Sequence, residues 1–258
     1  MVIDSCGATH RGNVRKKNQD NIYVDGIFRI DPDSNNMLIR STRSRGMHTY
    51  GVFDGLGGGM YGEKASLMAS QMLKQVDEEQ DMKLMPAFFP ALQSAISINA
   101  AGETESYTGT TAAVLMVDDY KANISNIGDS RVYLFRNGRL KAVSYDHTIE
   151  QSLIEYGILQ EPDRGHTQFR HELSQFVGMV SDEELILDEF RKSVDCRPGD
   201  VFILCSDGLT DAVSNEELAA LLEENKDKTA EQLAVQLISK ALKNNSRDNV
   251  SVIVVKVS

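Results

Sequence analysis

Three features of this 258-residue chain predict an α+β fold, with antiparallel sheets covered by helices. Its apolar runs come in pairs joined by hairpin turns. Its helical stretches form separate blocks instead of alternating with single strands, which argues against a parallel βαβ sheet. Its closing run, NVSVIVVKV, is β-branched throughout, as suits a buried strand. With no repeats, no low-complexity linker and only five prolines, residues 1–258 read as one domain.

In chain order, HTYGVFD (48–54) is an apolar strand that ends on a carboxylate. Gly62–Val76 carries apolar residues at Ala65, Met68, Ala69, Met72, Leu73 and Val76, the spacing of a helix lying on a sheet. The methionine-rich helical stretch 68–85 therefore reads as core packing. PAFFPALQSAISINA (86–100) and residues 148–156 read as further helices. TTAAVLMV (110–117), the turn DDYK and ANISNIG make one hairpin. SRVYLF, RNG and RLKAVS make another, with Asn137-Gly138 as its turn. VFILCSD (201–207) follows a Pro-Gly-Asp turn and is apolar on both faces. Asn215-Glu-Glu-Leu and Thr229-Ala-Glu-Gln each open a C-terminal helix with a capping residue.

A hydrophobic content of 41% and a charged content of 25% are ordinary for a globular chain. The formal net charge of −11 argues against a nucleic-acid partner, which would call for a basic face. Excess aspartate can instead be ligand capacity for divalent cations. The runs EEQD (78–81), SDEE (181–184) and EEN (223–225) read as solvated surface. No apolar run is long enough for a membrane span and MVIDSCGATH lacks the features of a signal peptide, so a cytoplasmic place is expected. Cys6, Cys196 and Cys205 have no CxxC spacing and read as reduced thiols rather than a disulfide or zinc site. A monomer is the default.

Five aspartates occupy comparable places. Asp54 and Asp207 end apolar strands and precede a glycine, Asp20 and Asp248 stand just before strands, and Asp129 lies between two strands. They are 34, 75, 78 and 41 residues apart. In antiparallel sheets the end of one strand and the start of its neighbour share a rim, so these carboxylates can converge. Any one of them alone reads as a turn or cap residue. Several buried together would repel and protonate unless cations neutralise them. An all-oxygen set favours Mg2+ or Mn2+ over zinc. Four glycines in the five residues Gly55–Gly59 suit a close approach of backbone to a ligand, and the Gly55 carbonyl can serve as a further donor.

The segments VRKKNQD, GVFDGLGG, GTTA, NIGDSRVYLF, DHT, LCSDGLTD and SRDNVSVIVV occur in this order, from about residue 7 to residue 257. The set resembles the metal-dependent protein serine/threonine phosphatases of the protein phosphatase 2C family, bacterial type. The resemblance implies a four-layer αββα sandwich of two antiparallel sheets with a pair of helices on each outer face. It implies two Mn2+ or Mg2+ ions that share Asp54, with Asp20 and the Gly55 carbonyl on one and Asp207 and Asp248 on the other. A water bridging the ions would attack phosphorus, which makes Asp54 and Asp207 catalytic as well as metal-holding.

Arg15 matches the family's phosphate-clamping arginine, a substrate-binding and catalytic role suited to a guanidinium fork. Asp129 matches the residue that holds a third, weaker ion in bacterial members, with Asp207 shared. The implied partners are phosphoproteins modified on serine or threonine and an opposing Ser/Thr kinase. Two positions depart from the pattern. Leu56 stands where many eukaryotic members have a histidine acid, and Gln19 stands where other members have glutamate. Asn249 reads either as support for Asp248 or as a strand-start residue. His10, His48, His147, His166 and His171 lack metal-site spacing and read as structural or surface residues, His147 helping to fold the helix that follows. Residues 157–182 correspond to the variable flap, where mobility and substrate choice are expected. An inactive binding module of the same fold and a phosphatase of small metabolites remain the alternative readings.

Overall fold

A computed structural model of the chain describes residues 1–31, 33–43, 46–57, 61–100, 108–118, 120–180 and 187–258. Gly58 and Gly59 of the glycine run, Asp119 of the DDYK turn, the SDEE run and the last two residues of the flap lie outside the described residues.

The chain opens with β1 (Ile3–His10), β2 (Asn21–Val24), β3 (Ile27–Phe28), β4 (Asn36–Arg43), β5 (His48–Phe53) and the short β6 (Gly55–Leu56). Helices α1 (Tyr61–Glu79) and α2 (Met85–Ala100) follow. Next come β7 (Gly109–Thr110), β8 (Ala112–Val117), β9 (Lys121–Ile127), β10 (Arg131–Arg136), β11 (Arg139–Ala142) and α3 (Ile149–Glu155). The last third holds β12 (Phe190–Asp195), β13 (Val201–Cys205), α4 (Asp207–Thr210), α5 (Asn215–Glu224), α6 (Ala230–Lys243) and β14 (Val250–Val257).

Two six-stranded antiparallel sheets result, ordered β11-β10-β13-β14-β1-β4 and β12-β9-β8-β5-β2-β3. Alternation along β13 shows the layering. Phe202 and Leu204 pack inward with Val52, Leu115, Ile253 and Val255 between the sheets. Val201, Ile203 and Cys205 point the other way, against Leu218 and Leu222 of α5 and Leu233 and Leu237 of α6. On the opposite outer face Ala65, Ala69 and Leu73 of α1 and Phe89, Leu92 and Ile96 of α2 cover Tyr23, Phe53, Val114 and Met116. Sheets sandwiched between each other and helices bury both faces, which is why their strands read as continuous apolar runs. The four-layer arrangement is the expected one.

Some boundaries differ from the sequence expectation. α1 ends at Glu79 because Gln80 adopts φ 51°, and a single 3-10 turn at Met82–Leu84 leads into α2, so 68–85 is not one helix. Helix α5 is capped by Ser214, which trades hydrogen bonds with Glu217, one residue before the start read from sequence. Thr229 and Gln232 form the same box on α6. Asn137 (φ 52°) and Gly138 (φ 73°) make the β10–β11 turn with both residues left-handed, as the Asn-Gly signal implies. β1, β4 and β12 carry too many polar residues or glycines to announce themselves. β1 becomes a strand through its place between β14 and β4. The three cysteines are free thiols, Cys6 and Cys205 buried. Among the described residues no helix is long and apolar enough to cross a membrane.

Candidate metal centre

Strand pairing places the carboxylates. Asn21 of β2 faces Phe53 of β5, so Asp20 and Asp54, one residue beyond, leave the same end of one sheet. Cys205 of β13 faces Val252 of β14, and the Ser206 N–H donates to the Ser251 carbonyl at 3.1 Å. Asp207 and Asp248 therefore leave adjoining ends of the other sheet. Asp129 sits where the chain crosses from β9 in one sheet to β10 in the other.

Two glycines let these segments touch. A Cβ on Gly55 would lie 2.2 Å from the Gly62 carbonyl oxygen and 2.6 Å from that of Gln19. A Cβ on Gly208 would lie 1.9 Å from the Asn249 oxygen. The close approach at Gly55 is thus backbone on backbone, seating Asp54 beside the Asp20 segment. Thr111 adds a tie: its N–H donates to the Asp54 carbonyl (2.9 Å), its hydroxyl accepts from the Asp54 N–H (3.1 Å), and that hydroxyl meets Ser130 at 2.7 Å.

Asp20 is fully buried. Its Oδ2 accepts from Ser206 Oγ (2.9 Å) and Ser251 Oγ (2.6 Å), while Oδ1 is buried with no hydrogen-bond partner. Ser251 Oγ also meets Thr9 Oγ at 2.7 Å, and Thr9 accepts from Asn18 Nδ2 at the same distance. Burial pushes the Asp20 carboxyl up to about 6, against the pull of the two hydroxyls. Asp54 and Asp207 keep a solvent edge, yet burial and then repulsion from the other aspartates hold both well above the usual carboxylate range. Asp129 is pushed up to about 7, by burial first and Asp146 second, with Arg131 partly offsetting.

Asp207 Oδ1, like Asp20 Oδ1, is buried and unpaired. Buried anionic oxygens without donors are costly, and a hard divalent cation is the group that satisfies them. The donor set is all oxygen and fits Mg2+ or Mn2+.

Arg15 lies at the mouth of the site, but its fork grips Asp248, Nε to Oδ1 at 2.9 Å and Nη2 to Oδ2 at 2.6 Å. The clamp expected for phosphate is engaged by a carboxylate. Asn249 does support Asp248, its backbone N–H donating to Asp248 Oδ1 at 2.8 Å, and its side chain does more. Its Oδ1 accepts from the Gln19 N–H (2.8 Å) and its Nδ2 donates to the Arg11 and Lys17 carbonyls (2.9 Å each), fixing the loop that carries Arg15 and Asp20. Gln19 Nε2 reaches the Gly57 carbonyl at 3.3 Å and steadies the glycine loop. Arg29, which sequence reasoning missed, is buried behind the site and donates to the Asn18 and Asp20 carbonyls at 2.8 and 2.6 Å. Leu56 pairs with Gly109 in the small β6–β7 ribbon.

Also missed was Asp211. Donor atoms of His171, Asp207 and Asp211 lie within 4.8 Å of one another, and Arg170 Nη2 donates to Asp211 Oδ1 at 2.6 Å. The signal was present in LCSDGLTD, whose two aspartates are four residues apart on one helical face. His171 and Arg170 bring the flap to the centre. That flap is tethered: Thr148 bridges Leu173, Thr110 bridges Val177, and buried Glu150 accepts from the Gly165 N–H (3.0 Å) and Thr167 Oγ (2.6 Å). These contacts tie the middle of the flap to α3 and its later part to β7 and the residue before α3. His147 is buried, its Nε2 at 2.9 Å from the Asp188 carbonyl, and Thr148 rather than His147 caps α3.

A sandwich of this build with acidic residues gathered on one rim defines a class of metal-dependent phosphatase. The chain belongs to the protein phosphatase 2C family: the model described as Protein phosphatase 2C matches residues 7–153, and that of Stage II sporulation protein E (SpoIIE) matches residues 154–258. It is 29% identical over 263 residues to the serine/threonine protein phosphatase PstP of Mycobacterium tuberculosis, covering 100% of this chain and 45% of that protein. It is 28% identical over 257 residues to the serine/threonine phosphatase stp of Listeria monocytogenes, covering 96% and 93%. The chain therefore spans under half the length of PstP and nearly all of stp. The crystal structure of M. tuberculosis PstP superimposes with a TM-score of 0.83 at 26% identity, covering both chains fully. That of the PstP catalytic domain in complex with two manganese ions gives 0.79 at 26% identity, covering 100% and 99%.

Proposed function

We propose that this chain is a Mn2+- or Mg2+-dependent phosphatase of phosphoserine and phosphothreonine in proteins, acting opposite a Ser/Thr kinase. The observation that carries the reading is the gathering of Asp20, Asp54, Asp207 and Asp248 on one rim, with buried oxygens of Asp20 and Asp207 left without donors. The manganese ions of the PstP catalytic domain support the choice of metal.

Asp54 would be the shared ligand, with Asp20 and the Gly55 carbonyl on one ion and Asp207 and Asp248 on the other. Asp129 with Asp207 would hold a third, weaker ion. Such ions supply activation of water for attack on phosphorus and neutralise the charge that develops there. The chain's own residues do the rest. Ser206 and Ser251 keep Oδ2 of Asp20 occupied, so that Oδ1 is the oxygen on offer. Arg15 exchanges Asp248 for two phosphate oxygens, a swap its fork makes without changing shape. No histidine acid stands at Leu56, and the cysteines, buried or without catalytic company, play no part.

The test is hydrolysis of a phosphothreonine peptide and of a chromogenic phosphate monoester by the manganese-loaded chain. Asp54→Asn should lower kcat by about a thousandfold and reduce the bound manganese, with circular dichroism unchanged. Asp129→Ala should keep the two tighter ions. Equal metal content in Asp54→Asn and the parent would refute the assignment, and failure on both substrates would refute the activity.

A further inference from the structure

A groove of about 770 Å3 runs from the carboxylates between the Arg15 loop, the flap and the turn joining α6 to β14. That is room for several side chains, well beyond a phosphate alone. Three arginines line it, Arg15, Arg170 and Arg247. Arg15 is held by Asp248 and Arg170 by Asp211. Arg247 is exposed and takes part in no ion pair or side-chain hydrogen bond among the described residues.

The chain as a whole carries a formal charge of −11 and repels anionic substrates at a distance. Arg247 adds a spare positive charge one residue from Asp248, on the lining of the same groove. An extended peptide advances about 3.3 Å per residue. A peptide lying in this groove would carry the side chains one or two positions from the phosphorylated residue past the segment that bears Arg247. The Arg247 fork suits carboxylate and phosphate alike and is repelled by lysine or arginine.

Resting on the phosphatase reading above, we propose that Arg247 is a specificity-determining residue. It selects phosphopeptides that carry a second anionic group, a carboxylate or another phosphate, one or two residues from the phosphoresidue.

The experiment measures kcat/KM of the manganese-loaded chain on phosphothreonine peptides that differ only in those flanking positions. The flanks carry glutamate, a phosphonate isostere of phosphoserine, alanine or lysine. The glutamate and phosphonate peptides should exceed the lysine peptide by about fivefold, and the better of the two tells which anion the groove is made for. In Arg247→Ala the spread should fall within about twofold, and in Arg247→Glu the lysine peptide should become the best. Comparing peptides within one variant cancels any disturbance of the neighbouring Asp248. An undiminished spread in Arg247→Ala, or none in the parent chain, overturns the proposal while leaving the phosphatase reading intact. If no peptide and no chromogenic ester is hydrolysed, the phosphatase reading itself falls and this inference with it.

Discussion

At the scale of single residues, the centre depends on hydroxyls as much as on carboxylates. Ser251 and Ser206 each donate to the same oxygen of Asp20, and Ser251 is in turn fixed by Thr9 and Asn18. Supports of this kind, one step removed from a metal, are worth about ten- to a hundredfold in affinity. Ser251→Ala should thus weaken manganese binding about tenfold by calorimetry while Asp20 remains in place, and Ser251→Thr should recover most of it. Unchanged affinity in the alanine variant would mean the hydroxyl serves packing alone. The aspartates were legible in the sequence because each stands at a strand end beside a glycine or asparagine. Ser251, Thr9 and Arg29 were not, because nothing in a lone serine, threonine or arginine tells whether its polar atoms meet water or a buried carboxylate.

At the scale of elements, the hairpins and long helices could be read from turn chemistry and apolar spacing. β1 and β12 could not, since their strand character comes from neighbours far away in sequence. The flap shows the same limit. Its length and mixed composition suggested a mobile loop, whereas Glu150 at the start of α3 holds its middle through the Gly165 N–H and the Thr167 hydroxyl. The carboxylate is kept below the usual glutamate range by these donors, against the opposing effect of burial. Glu150→Ala should free residues 164–168, seen as amide hydrogen exchange at least tenfold faster there than elsewhere in the flap. Loss of a donor-bound buried carboxylate should also raise KM for peptides more than for a small ester. Protection that survives the substitution would show that the bridges at Thr148 and Thr110 suffice.

For the whole molecule, the burial of acid on one rim couples stability to pH and metal. Folded Asp20 and Asp129 keep their protons up to about 6 and about 7, above the value of about 3.9 for an unfolded aspartate. Between those limits the folded chain binds more protons than the unfolded one, so stability falls as pH rises. Stripped with chelator, the protein should melt at a higher temperature at pH 5.5 than at pH 7.5. Excess Mn2+ binds the folded form and takes the place of the protons, so it should raise Tm most at the higher pH. Differential scanning fluorimetry in the four conditions checks this, and a chelated protein that gains stability toward pH 7.5 would contradict it.

Asp20 and Asp54 belong to one leaf of the sandwich and Asp207 and Asp248 to the other. The gap the ions must fill is therefore gauged by the girth of the interior, by side chains such as Phe202, Val52 and Ile253 that never approach a phosphate. Thinning that filling would alter the spacing between the two pairs of carboxylates from within.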